Sequence, residues 1–144
     1  MNSLLKINRV INGKITNAKN GGSYSTMINP ASYDLNELDF EGSMYEILSF
    51  DIVVDCTGIV DPKRTSFNAE ILSLKSVLYT LKGKSKKRNQ VQLAWGALNF
   101  VGRIKSYNAQ YTLFKPDGTP LRGTISLTFE KEISAAKKKR WWWL

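Results

Sequence analysis

Apolar residues in this chain recur at two spacings, and the spacings divide it into elements. Residues 3–20 alternate loosely around Asn12-Gly13. That dipeptide tolerates φ > 0 at both central turn positions, so the segment is predicted to be a hairpin with a type I′ turn. Asn20-Gly21-Gly22 then breaks the chain, and Ser23–Asn29 reads as a short strand. Its expected stop is Pro30, which has no N–H for a ladder. Residues 31–43 are polar and acidic and predict an irregular connection. Met44–Cys56 is a strand by its period of two: Leu48, Phe50, Ile52, Val54 and Cys56 share one face. Ser49, Asp51 and Asp55 take the other, where they would meet water or a polar partner. Next, Phe67, Ile71, Leu74, Leu78 and Leu81 form a helical stripe. With capping signals at Asp61-Pro62 and Thr65-Ser66, it predicts one amphipathic helix over about residues 65–82, closed by Gly83 and covering its own sheet.

Three long strands are predicted after the helix. Gln90–Val101 is apolar on both faces, and Gly96 beside Trp95 suggests a bulge or close backbone approach. Gly102–Phe114 places Tyr107, Ala109, Tyr111 and Leu113 opposite Ser106, Asn108, Gln110 and Thr112. After a turn at Pro116-Asp117-Gly118, Gly123–Ile133 sends Ile125, Leu127, Phe129 and Ile133 inward. Thr124, Ser126 and Thr128 point outward with Glu130. The expected fold is mainly β, two packed sheets as a barrel or sandwich with one covering helix. Residues 1–134 would be the domain and residues 135–144 an arm. The long Ser/Thr/Asn/Gln face suits a hydrated channel wall, and an ordinary solvated sheet has the same pattern.

Composition narrows the chemistry. Among 144 residues there is no histidine, which excludes Ser-His-Asp and Cys-His catalysis and most zinc and haem sites. The lone Cys56 cannot build a disulfide framework or a CxxC knuckle, and it is expected as a packed small hydrophobe. No nucleophile–base pair can be named, and Asp51 with Asp55 is expected to be solvated rather than catalytic. The expectation is therefore a non-enzyme with no cofactor and no metal. No run of 18 apolar residues spans a membrane, and the first residues lack the apolar core of a secretory signal, so cytoplasmic folding is expected.

The net charge of +9 is localised. Lys82, Lys84, Lys86, Lys87 and Arg88 form one basic run, and Lys137–Arg140 a second. The rest of the chain carries 12 basic and 12 acidic residues. Such runs can bind phosphates, or they can be solvated segments or protein contacts. Run 82–88 lacks the aromatic interleaving of a nucleic-acid surface and reads as the latter. The second run abuts Trp141, Trp142 and Trp143. Cations beside indoles suit an interfacial anchor or base stacking, but three exposed tryptophans favour an arm docked in an assembly.

Several segments together resemble contractile injection system tube-type proteins, the components of phage-tail-like particles. They are Asn29-Pro30-Ala31-Ser32-Tyr33, the strand Leu48–Asp55, and above all Val91–Phe129. The last contains Trp95-Gly96, Phe100-x-Gly102 and Phe114-x-Pro116-Asp117-Gly118-Thr119-Pro120-x-Arg122 in order. The resemblance covers about residues 23–133. It implies the tail-tube fold shared with Hcp-type tubes and a hexameric ring. The ring would serve either as an inner-tube layer or as the baseplate tube initiator joining spike hub to tube. Partners would be further copies, adjacent rings, the hub and baseplate or sheath proteins, in a particle assembled in the cytoplasm and possible to release. Many members carry a LysM module. None is visible here, so no peptidoglycan binding is expected.

On this reading the expected subunit contacts are Asn29, Pro30, Tyr33, Trp95, Phe100, Tyr111, Trp141, Trp142 and Trp143. The expected lumen face is Ser106, Asn108, Gln110, Thr112, Thr124, Ser126 and Thr128. The alternative is a basic β-barrel module that binds nucleic acid or anionic membrane through residues 82–88 and 137–143.

Overall fold

A computed structural model describes residues 4–16, 22–58 and 66–133. In chain order the elements are β1 (Leu5–Ile11), β2 (Lys14–Thr16), β3 (Ser23–Thr26), β4 (Ile28–Phe40), β5 (Ser43–Asp55), α1 (Phe67–Leu78), β6 (Tyr79–Lys82), β7 (Ser85–Arg88), β8 (Val91–Trp95), β9 (Leu98–Phe114) and β10 (Pro120–Ile133). The mainly β architecture with one helix is as the sequence predicts. Eight strands form one continuous sheet in the order β2-β1-β8-β9-β10-β5-β4, with β3 also on β1, and β6-β7 is a separate ribbon.

The continuous sheet folds into two halves because β9 belongs to both. Its first residues pair with β8 from Leu98 to Gly102, and its remainder pairs with β10 from Arg103 onward. Gly102 is the corner: a Cβ there would overlap the Glu130 carbonyl oxygen and crowd the Phe100 ring. Between the halves lies the core, including Leu48, Phe50, Ile52, Phe100, Ile125, Leu127 and Phe129. Phe50 and Phe129 stack there with centroids 5.8 Å apart. Helix α1 closes the core with Phe67, Ile71, Leu74, Val77 and Leu78, confirming that its stripe covers its own sheet. Ser66 caps its first turn through Ala69 N–H. Asn89 holds its last turn by donating from Nδ2 to the Val77 carbonyl, which would otherwise lack a helical donor.

Four sequence expectations are corrected. Pro30 does not end a strand: β4 runs through it to Phe40, and residues 31–43 are mostly strand rather than irregular. The proline sits in a bulge between the pairs Asn29–Asp51 and Asp34–Ser49, where no ladder N–H is required. Ser32 Oγ accepts Asp51 N–H at 2.7 Å and fills the gap. A tight turn at Glu41-Gly42, with φ of 51° and 80°, then returns the chain into β5. Secondly, the helix ends at Leu78, and Gly83 (φ 59°) turns the β6–β7 hairpin instead of closing the helix. The basic run is thus mostly strand. Thirdly, Gln90–Val101 is two strands joined at Gly96-Ala97, and the positive φ of Gly96 serves a hairpin turn rather than a bulge. Lastly, Asp55 is buried rather than solvated. The Asn12-Gly13 turn, the turn at residues 115–119 and the buried Cys56 stand as expected.

Candidate assembly surface

Strands β9, β10, β5 and β4 make a four-stranded antiparallel sheet whose inner face is the core. Its outer face is built by register. Thr124 lies between Gln110 and Val53, Ser126 between Asn108 and Asp51, and Thr128 between Ser106 and Ser49. Ser49 Oγ and Thr128 Oγ1 share a hydrogen bond of 3.0 Å. The structure therefore brings the predicted Ser106, Asn108, Gln110, Thr124, Ser126 and Thr128 onto one accessible surface. Thr112 joins them beside a register shift, where its hydroxyl donates to the Arg122 carbonyl. The face is not wholly uncharged, because Asp51 lies within it and Asp34 pairs with Ser49 at its border.

Both lateral borders of this sheet are open among the described residues. β4 pairs only with β5, and β9 pairs on one side with β10 from Arg103 to Phe114. Neither border is paired with a further strand among the described residues, and such a border is a template for another strand. The β4 border is acidic, with Asp34, Glu37, Asp39 and Glu41, and it exposes Leu35, Leu38 and Phe40. Inward and edge charges are a device that discourages indiscriminate edge pairing.

The β9 border has the opposite sign. Arg88 Nη1 donates to the Ile104 carbonyl and to Glu130 Oε1, both at 2.9 Å, which seats the β6–β7 hairpin against β9. A groove of about 350 Å³ runs beside it, lined by Arg9, Lys82, Lys87, Arg88 and Arg103 with no acidic residue in its wall. Lys86 instead covers the Tyr79 ring at 3.9 Å. The sequence shows the basic run but not this groove, because Arg9 and Arg103 join it only through the fold.

The predicted contact residues separate into distinct environments. Phe100 is 1% exposed and belongs to the chain's own core, which corrects its assignment to a subunit contact. Tyr33 and Trp95 meet each other, centroids 5.6 Å apart, half-buried against that core. Asn29 and Pro30 are exposed at the β4 bulge, where Asn29 accepts from Ala31 N–H and Ser32 Oγ. Tyr111 is exposed at the far end of the β9–β10 hairpin, edge-on to Phe67 at 5.3 Å. Trp141, Trp142 and Trp143 lie outside the described residues. The sequence reading missed a polar ladder on the other half of the sheet. There Ser23 Oγ donates to Asn8, Asn8 to Gln92 and Gln92 to Asn99, each within 2.9 Å. Alternating amides of this kind give no hydrophobic signal.

Asp55 and Tyr107 have displaced pKa values. Hydrogen bonds from the Thr57 hydroxyl and N–H, with Arg122 Nε at 2.7 Å, hold Asp55 below the usual carboxylate range. Burial pushes the Tyr107 hydroxyl up to about 12. Among the described residues no group of three or more His, Cys, Asp or Glu side chains could hold a metal, and no helix is long and apolar enough to cross a membrane.

The sequence matches the family described as contractile injection system tube protein over residues 34–140. That span runs from the acidic border through the polar sheet and past β10, and it exceeds half of the chain.

This chain belongs to the contractile injection system tube proteins.

The tube protein is accordingly a structural component of a contractile injection particle, and it assembles with other components of that particle. No individual curated protein matches its sequence. The expected family resemblance is thereby borne out: Leu48–Asp55 and Val91–Phe129 lie wholly within the matched span, and Asn29–Tyr33 precedes it.

Proposed function

We propose that the tube protein closes into a hexameric ring, as an inner-tube layer or as the tube initiator on the spike hub. One observation carries the reading: a four-stranded sheet has two open borders at opposite sides and a hydrophilic face between them. Its strands alternate in direction across β9, β10, β5 and β4. A neighbour's β9 laid beside β4 therefore continues the antiparallel order. Such a contact is heterologous, and repetition with a fixed rotation closes a ring. The inner wall would then be the Ser106–Thr128 face, which offers hydroxyls and amides and little for cargo to grip. The role is mechanical, and no step in it requires catalysis. The partners are further copies above and below, with the hub at one end.

Size-exclusion chromatography with light scattering tests this. A mass of six chains, or a multiple of six, is the expected result. A chain that stays monomeric at every concentration and salt level would overturn the ring.

A further inference from the structure

We infer that the acidic end of β4 in one copy docks into the basic groove beside β9 of the next, and that this pairing of opposite charges selects the ring contact. The inference deepens the ring reading and rests on it.

Register supplies the geometry. One row crosses the sheet through Arg103 on β9, Glu130 on β10, Ile47 on β5 and Asn36 on β4. An in-register contact between copies would continue that row from Asn36 to Arg103 of the next copy. Beyond Asn36, β4 continues with Glu37 and Asp39 and reaches Glu41 at the turn. Above Arg103, β9 leaves the sheet at the Gly102 corner to pair with β8. The place it vacates is flanked by the β6–β7 hairpin, tied to Ile104 through Arg88. In that register the end of β4 that has no β9 to pair with would face Lys82, Lys87 and Arg9 of the neighbour, which line the groove.

The signs explain an otherwise costly arrangement. Glu37 lies directly opposite Glu46 across the β4–β5 ladder, a like-charge pair that weakens a hairpin. Lys131 reaches Glu46 at 3.6 Å from the other side, which leaves the border strand the more acidic. Four further cations accompany Arg88 in a groove without acids, concentrating positive potential. Arg88 is already paired with Glu130, so the complementary charge is that of Arg9, Lys82, Lys87 and Arg103 on one surface and of Glu37 and Glu41 on the other. Complementary borders admit the correct neighbour and repel β4 against β4 or groove against groove. The occupant is thus a second copy of this chain.

Charge exchange is the test. K82E/K87E and E37K/E41K are prepared as separate variants, with circular dichroism to confirm folding. By native mass spectrometry each should lose ring formation, the association constant falling by roughly 10-fold or more. Mixing the two restores every contact when the copies alternate, so the mixture should form rings containing equal numbers of each. The quadruple variant K82E/K87E/E37K/E41K should also form rings. Unchanged rings in either double variant would overturn the pairing while leaving the ring intact. So would a mixture of two folded variants that stays apart while the wild type closes. A K82E/K87E variant that assembles normally but loses salt-sensitive binding to single-stranded DNA would assign the groove to nucleic acid instead. A wild type that never closes would remove both readings together.

Discussion

Tyr107 shows how a single side chain records its surroundings. Its hydroxyl is buried without a hydrogen-bond partner, and Lys75 Nζ lies 5.2 Å from the ring centroid. An unpaired buried hydroxyl opposes folding, so Tyr107→Phe should raise stability by about 1 kcal/mol. Urea denaturation measures this. The pH dependence has a definite sign. The folded tyrosine holds its proton up to about 12, against an ordinary value of 10.0, so its contribution is intact below pH 10 and is lost as pH rises towards 12. In Tyr107→Phe that part of the alkaline decline should be missing. Asp55 has the reverse dependence, because its pKa is held below the ordinary 3.8 and its stabilisation disappears as pH falls through that region. Asp55→Asn should cost about 2 kcal/mol at neutral pH by weakening charge-assisted bonds to Thr57 and Arg122. The same titration at pH 7 and pH 3 should show the difference shrinking in acid. Neither residue's environment is legible in sequence. Asp55 shares the parity of Ser49 and Asp51, and only the pairing of β5 with β10 places Arg122 opposite it.

At the scale of elements, legibility follows burial on one face. β5 and β10 alternate cleanly because every second residue enters the core; β5 lies within one residue of the pattern at each end, and β10 ends with it at Ile133 but starts three residues earlier, at Pro120. β4 was invisible for the opposite reason. It is a border strand whose residues beyond Ile28 are exposed or half-buried, so no apolar period marks it. The helix end was ambiguous in principle, since Leu81 continues a helical spacing yet sits on β6, 73% exposed. Glycine with positive φ also suits both a helix end and a hairpin turn, so Gly83 could not decide between them. Strand type thus emerges from local pattern, whereas the open borders emerge only from knowing which strands lack neighbours. The candidate surface was half legible: the hydroxyl and amide positions were read directly, and the groove and acidic border were not. These borders yield a prediction at the same scale. Backbone amides within 28–40 and 103–114 should exchange quickly with solvent in the free chain and slow down on assembly. β10, which has a partner on both sides, should change little. Hydrogen–deuterium exchange read by mass spectrometry distinguishes the three segments.

The whole molecule is a nearly neutral body carrying localised charge, built from distant pairings around one shared strand. Family membership and the fold agree on a structural component, and the two open borders are where copies are proposed to join. The 17 residues of β9 pass from one half of the sheet to the other without a break in the backbone. At roughly 3.3 Å per residue the strand is on the order of 55 Å long. Tension along it is borne by covalent bonds over that whole length, whereas two separate strands would have had to hand the load across hydrogen bonds.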